Sequence, residues 1–262
     1  MSVLGGVFLA FGVLLALVVL RVLYVLGSFV RKAGKPPETP LEHALDRTAK
    51  RYEKVALKKG EYYFVRGKLA GDPATEALVS LGHLGSVLDL GCGRGQLAVL
   101  LLEAGLAERA RGLDWDPEKV RLAREAAAGL EATFEEGDVR KAHEKAGGLS
   151  STVLLVDVLH YFEKPVQDAL LSQAADLVLP GGRLVVREAD KGRGVRSFAT
   201  RLQEGIGTRA KVNRGEQVLF RDVRRELVPL LEAKGFSCEV RPCWGLTPFS
   251  NVMLVATRAG RS

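Results

Sequence analysis

The run Val87-Leu88-Asp89-Leu90-Gly91-Cys92-Gly93-Arg94-Gly95 restricts the fold more than any other part of the chain. An apolar stretch of strand character enters three alternating glycines, and a helical pattern follows at once over 96–104. Glycines at this spacing permit a tight turn and let backbone N–H groups approach a ligand with no Cβ in the way. The free N–H groups at the start of the next helix then face whatever fills the turn. The turn alone is compatible with a dinucleotide. Asp89 ahead of the glycines, and the lack of GxGxxG spacing, suit a ligand bearing a positive amine better.

Short apolar runs alternate with helical stretches through the rest of the body. Strands are expected at 87–90, 110–113, 132–135, 151–156 and 183–187, and helices at 96–104, 117–128 and 166–177. This alternation predicts a parallel sheet covered by helices, with ligands collecting at the carboxyl ends of the strands. A long helix is expected over 219–235, and two late strands at 237–241 and 252–257 are expected to finish the sheet as an antiparallel hairpin.

The amino-terminal part reads differently. Residues 2–20 carry no charged side chain, and after Arg21 the apolar run resumes over 22–30 before Arg31, Lys32 and Lys35. At about 1.5 Å per residue, such a run approaches the roughly 30 Å hydrocarbon core of a bilayer. Basic residues on its carboxyl side alone place the main body in the cytoplasm under the positive-inside rule. Residues 1–32 are therefore expected to form a transmembrane or membrane-anchoring helix, with membrane lipid as a partner and a membrane-associated location. The proline-rich stretch 33–40 reads as a linker, and 41–85 as a basic helical cap or entrance segment. Its helical pattern over 41–57 and beyond gathers Arg47, Lys50, Arg51, Lys54, Lys58 and Lys59, while Tyr62, Tyr63, Phe64 and Val65 are placed in a lid over a pocket. Lys+Arg 38 against Asp+Glu 31 gives a net charge of +7, which suits an anionic bilayer as well as a polyanion and does not choose between them. Three cysteines without paired spacing and four isolated histidines indicate neither a zinc cluster nor a disulfide framework, and no metal site is expected.

Four further segments follow the glycine run in order. They are Gly112-Leu113-Asp114-Trp115-Asp116-Pro117, Gly137-Asp138-Val139, Val156-Asp157-Val158-Leu159-His160-Tyr161 and Leu179-Pro180-Gly181-Gly182-Arg183-Leu184. Together with the glycine run, they resemble the class I S-adenosylmethionine-dependent methyltransferases of the methyltransferase-domain type, and the chain looks like a membrane-anchored bacterial member. The resemblance implies an α/β fold: a Rossmann-like seven-stranded methyltransferase sheet over 86–258, helices on both faces, preceded by the membrane helix. It implies S-adenosyl-L-methionine as cofactor. In that family the loop of Gly91, Cys92, Gly93 and Gly95 wraps the methionyl part, and Asp89 orients the amino group. Asp114 binds both ribose hydroxyls, since one ionised carboxylate accepts two O–H bonds. Trp115 borders the adenine, Asp138 accepts its exocyclic amine, Val139 lies against the ring, and Asp157 completes the cofactor set. The stretch 67–73, Gly-Lys-Leu-x-x-Asp-Pro, resembles an entrance segment of bacterial methyltransferases.

A sulfonium methyl is already electrophilic, so transfer needs chiefly a nucleophile held in line and kept from water. For a hydroxyl acceptor, a base near the end of the fourth strand helps. Asp157 and His160 are the nearest candidates, and Tyr161 is placed to position an acceptor oxygen. Glu188, Asp190, Lys191, Arg193, Arg196, Arg201 and Arg209, with the stretch 247–251, are expected around the acceptor opening. With the anchor, these features imply an enzyme that methylates a small lipophilic acceptor at the membrane surface, on oxygen or carbon in preference to nitrogen. A nucleic-acid methyltransferase is the second reading. It is disfavoured because Asp157-Val158-Leu159-His160 stands where an Asn/Asp-Pro-Pro-Tyr/Phe motif belongs, so no nucleic-acid partner is expected. A non-catalytic cofactor-binding membrane protein is the third, and the sequence leaves the oligomeric state open.

Overall fold

The structure, a computed structural model, describes residues 36–56, 60–192, 219–244 and 250–260. Its strands are β1 (Gly85–Leu90), β2 (Ala107–Asp114), β3 (Ala132–Glu136), β4 (Ser150–Val156), β5 (Val178–Ala189), β6 (Phe236–Pro242) and β7 (Asn251–Arg258). They form one seven-stranded sheet in the order β3-β2-β1-β4-β5-β7-β6. The first five run parallel, and β7 pairs antiparallel with both β5 and β6. The result is a Rossmann-like mixed sheet with flanking helices.

The central strands are apolar on both faces because both faces are covered. Successive side chains of a strand point to opposite sides. Val87, Leu154 and Val185 pack into one core with Ala44, Tyr52, Val65, Leu78 and Val99. Their neighbours Leu88, Val153, Leu155, Leu184 and Val186 pack into the other with Leu170, Leu171 and Leu231.

The amino-terminal layer consists of α1 (Pro40–Val55), α2 (Glu61–Gly71) and α3 (Pro73–Val79). A capping box starts α1: the Thr39 hydroxyl accepts the Glu42 N–H at 3.2 Å, and the Glu42 carboxylate accepts the Thr39 N–H at 3.0 Å. The segment expected as one basic cap is thus three helices. Part of its basic face is bolted to the body. Arg47 and Arg51 both bond the Glu103 carboxylate, and Arg51 also donates to the carbonyls of Ala126 at 3.2 Å and Ala128 at 2.9 Å. Lys58 and Lys59 lie outside the described residues.

Around the sheet follow α4 (Gln96–Glu103), α5 (Pro117–Ala126), α6 (Lys164–Asp176) and α7 (Val228–Glu232). The helix expected over 219–235 is shorter than its apolar pattern suggested. Its chain is extended up to Asp222, whose side chain caps a five-residue π turn over 223–227, and α7 then starts with Pro229 in its first turn. Proline has no N–H to donate to the carbonyl four residues back, so the ordinary helical ladder is interrupted there.

The expected amino-terminal membrane helix is not borne out by the described residues. The longest helix among the described residues, α1, has 16 residues. At ~1.5 Å each it spans roughly 24 Å, short of a core of about 30 Å. It also carries Glu42, Asp46, Arg47, Lys50, Arg51, Glu53 and Lys54. No helix of the described residues is long and apolar enough to cross a membrane. Residues 1–35, on which the expected helix of 1–32 falls, lie outside the described residues. The membrane-anchored type, the membrane-lipid partner, the bilayer-surface reaction, the cytoplasmic-side placement and the lipophilic character of the acceptor all rested on that helix, and they are withdrawn.

Candidate active site

The glycine loop is shaped by its neighbours as much as by its own sequence. The Gly91 and Cys92 N–H groups both donate to the Leu113 carbonyl, at 2.7 and 3.1 Å, which ties the end of β1 to the end of β2. Gly91 has φ +80°, and a Cβ there would stand 2.5 Å from the Val158 side chain. Gly93 has φ +54°, but a Cβ there would meet nothing within 4 Å. The loop is therefore close-packed on the Val158 side and open at Gly93. Cys92 lies between the two. Burial, with Asp89 and Asp114 nearby, pushes its thiol far above the ordinary range, which disfavours the nucleophilic thiolate.

Asp114, 5% exposed at the end of β2, receives the Gly93 N–H on Oδ2 at 2.8 Å and the Asp116 N–H on Oδ1 at 3.0 Å. Each oxygen keeps a further lone pair for a hydroxyl. Asp116 caps α5 by accepting the N–H groups of Glu118 and Lys119, at 3.1 and 3.2 Å. Trp115, between these acids, is exposed, with the Lys119 ammonium 5.7 Å from its ring centre.

Asp89 is the most telling residue of the site. It is 3% exposed, and among the described residues no donor reaches its carboxylate. Burial, reinforced by the charge of Asp114, pushes its pKa up to about 7. A buried carboxylate without a partner is costly unless a cation comes to it.

Asp138 stands elsewhere in its commitments. Its carboxylate caps the turn Val139–Lys141 and takes two contacts from the Arg140 Nε, at 2.8 and 2.9 Å. These Arg140 contacts hold it below the usual carboxylate range. Val139 is buried in the core beneath.

On the acceptor side, Asp157 follows β4 with φ 57°, and the 3-10 turn Leu159–Tyr161 follows it. The turn is organised by Glu188 from β5. One Glu188 oxygen accepts the N–H groups of Val158 and Leu159, at 2.9 and 2.7 Å, and the other lies 2.7 Å from His160 Nδ1. Burial alone would depress the His160 imidazole, but the charge and hydrogen bond of Glu188 outweigh it and raise the imidazole above its ordinary value. Tyr161 is exposed at the rim, its ring 4.2 Å from that of His160. Asp190, expected at the acceptor opening, is instead buried and accepts the N–H groups of Gly192 and Val223, at 3.1 and 3.2 Å. Arg193, Arg196, Arg201, Arg209, Thr247, Pro248 and Phe249 lie outside the described residues.

Several residues of the site went unread in the sequence. The buried Tyr52 hydroxyl donates to the Arg94 carbonyl at 2.6 Å, the Arg94 side chain pairs with Glu61 at 2.5 Å, and Lys68 donates to Gln96 at 3.3 Å. The amino-terminal layer thus backs the glycine loop. Glu188, read as an acceptor ligand, is the clamp of the His160 turn. A buried aromatic on α1 and a charge inside the apolar β5 were the signals available, and neither names its partner. Among the described residues, no group of three or more His, Cys, Asp or Glu is arranged to hold a metal ion.

Comparison with known proteins finds methyltransferases that this chain resembles. A family model described as a methyltransferase domain matches residues 87–182. The ribosomal protein L11 methyltransferase of Geobacter metallireducens is 39% identical over 114 residues, 42% of this chain and 34% of the relative. The chain thus spans about a third of the length of that curated relative. Among solved structures, an O-methyltransferase family protein from Burkholderia thailandensis superposes with a TM-score of 0.60 at 20% identity, over 76% of this chain and 60% of that one. The magnesium protoporphyrin IX methyltransferase of Synechocystis, solved with bound S-adenosylhomocysteine, gives 0.55 at 20% identity, over 81% and 93%. These two likenesses are of fold. Residues 87–182 thus match a methyltransferase domain, an enzyme domain whose cofactor is S-adenosylmethionine. The residues present fit that group: the unpartnered buried Asp89 carboxylate suits its ammonium, and the loop is open at Gly93.

Proposed function

We propose that, built on this domain, the whole chain is a methyltransferase that transfers the methyl group of S-adenosylmethionine to an oxygen of a small-molecule acceptor, with His160 as the base. The observation that carries the reading is the pairing of His160 Nδ1 with the buried Glu188 carboxylate at 2.7 Å, at the carboxyl edge of the sheet.

S-adenosylmethionine, when bound, would supply a sulfonium methyl open to in-line attack by an oxygen lone pair, with S-adenosylhomocysteine as the leaving group. Asp89 would take its ammonium and Asp114 the ribose hydroxyls through their free lone pairs, with Trp115 bordering the adenine and Asp138 and Val139 beyond it. Glu188 holds the proton of His160 on Nδ1, which leaves the Nε2 lone pair as the acceptor of a proton. Nε2 would take the acceptor's hydroxyl proton during transfer, and Glu188 would stabilise the resulting imidazolium. Tyr161, at the rim, orients the acceptor oxygen, and Asp157 lines the same opening.

A second reading takes a protein acceptor, favoured by the name of the curated relative. One experiment separates the two. The full chain is incubated with methyl-labelled S-adenosylmethionine and, separately, a small-molecule extract and a protein fraction. Label in small molecules, falling about 100-fold in His160→Ala while cofactor binding persists, supports the first reading. Label confined to protein selects the second, and no calorimetric binding of S-adenosylmethionine overturns both.

A further inference from the structure

Arg187 has no role in the chemistry above. Arg187 sits near the carboxyl end of β5, 8% exposed. Its guanidinium meets two carboxylates from different layers: Asp157 after β4, and Asp72 at the corner between α2 and α3, 3.4 Å from Nη2. Its carbonyl also accepts the Asp157 N–H at 2.9 Å. One residue therefore grips Asp157 by backbone and side chain together. Asp157 is held where glycine is the usual occupant: among the described residues it is the non-glycine residue with positive φ.

Asp72 is used twice. Its Oδ1 accepts the Ala74 N–H at 2.9 Å, capping α3, and also faces Arg187. From the same helix, α2, Glu61 reaches Arg94 and Lys68 reaches Gln96. The stretch 67–73, singled out in the sequence as an entrance motif, thus bridges the cofactor loop and the turn after β4. Arg187 Nε is buried without a partner. Two acids around a buried arginine with an unsatisfied nitrogen are a poor way to stabilise a core, which favours a role in geometry.

We propose that Arg187 is a positioning residue of the transfer site: it sets the left-handed turn at Asp157 and, through Asp72, couples that turn to the α2–α3 corner. The purpose of holding Asp157 rests on the methyltransferase reading; the coupling does not. The titratable groups facing Asp157 are Arg187 and Glu188 from β5, Asp72 from the corner, Lys68 from α2, His160 and Tyr161 from its own turn, and Cys243 just after β6.

The test uses the full chain with Arg187→Gln, Arg187→Lys and Asp72→Asn, since asparagine caps a helix about as well as aspartate. Hydrogen–deuterium exchange is read at 157–161 and 67–75, the Asp157 carboxyl is titrated by NMR, and S-adenosylmethionine binding is measured by calorimetry. Asp72→Asn is expected to speed exchange at 157–161 by about fivefold or more, although its link to that turn runs through Arg187. Arg187→Gln is expected to speed exchange in both segments and to raise the Asp157 titration by about one unit, with Arg187→Lys restoring the titration. Exchange at 157–161 unchanged in Asp72→Asn, or an Asp157 titration that ignores Arg187→Gln, overturns the coupling. If Arg187→Gln fails to fold, Asp72→Asn decides alone. A wild-type chain that binds no S-adenosylmethionine sinks the methyltransferase reading, yet its exchange and titration results still decide the coupling.

Discussion

Asp114 reaches from the end of β2 to Gly93 in the loop after β1, its Oδ2 2.8 Å from the Gly93 nitrogen, while Oδ1 takes the Asp116 N–H at 3.0 Å. The acid assigned to the ribose is therefore also the strut that shapes the loop. Asp114→Ala orphans both N–H groups and is expected to cost about 1–3 kcal/mol in urea unfolding, as well as weakening S-adenosylmethionine binding. A loss of affinity with no change in stability would show that the strut contributes nothing.

Asp89 predicts a pH dependence. Its folded pKa of about 7 lies above the ordinary carboxylate value of 3.8, so between the two the folded chain holds a proton that the unfolded chain has lost. Stability from this group consequently falls as pH rises through that window. Binding an ammonium ion requires the ionised form, so cofactor affinity is expected to rise about tenfold between roughly pH 5.5 and 7. Calorimetry at the acid end, in buffers of different ionisation enthalpy, is expected to show proton release. Asp89→Asn should weaken binding about 10- to 100-fold and flatten the profile. A flat profile in the wild type contradicts the assignment.

Glu188→Gln tests the base. The amide oxygen can still accept from Val158 and Leu159, but its NH2 faces His160 Nδ1 and drives the imidazole proton to Nε2. Transfer is expected to fall about 100-fold, with the cofactor dissociation constant unchanged. The His160 titration, followed by NMR, is expected to move down from its raised value. In the wild type the pair's stabilising contribution is complete below about pH 6.5 and is lost as pH rises through the folded value. That pH-dependent part should vanish in the variant.

Tyr52→Phe removes the hydroxyl that holds the Arg94 carbonyl. Leaving that carbonyl unmet is expected to cost about 1–2 kcal/mol and to speed amide exchange over 91–96. Exchange confined to α1 would instead limit Tyr52 to core packing.

The parts of the site legible in the sequence were those fixed by local demands. The glycines after Asp89, the acid ending β2 and the strand–helix alternation each answer a constraint within a few residues. The antiparallel strands β6 and β7 were legible for the same reason. What escaped were pairings between residues distant in the chain. Nothing local to Arg187 in Val-Val-Arg-Glu points to Asp72, nor does Tyr52 in an amphipathic helix announce Arg94. The π turn before α7 escaped because apolar spacing was read across Pro229. The apolar runs at 2–20 and 22–30, with the basic residues after them, invited a membrane reading; they lie outside the described residues, none of whose helices is long and apolar enough to cross a membrane.

The place of β7 between β5 and β6 has a consequence for how the protein is made. Strand β7 is the last of the sheet in chain order, yet it occupies an interior position and pairs with β5 along residues 183–189. A chain emerging from the ribosome can assemble β1 to β5 but must leave the backbone edge of β5 bare until residues 251–258 arrive. A translation product stopped short of them would carry that edge as an open template for another chain, and the wait for β7 is the interval in which a chaperone has something to protect.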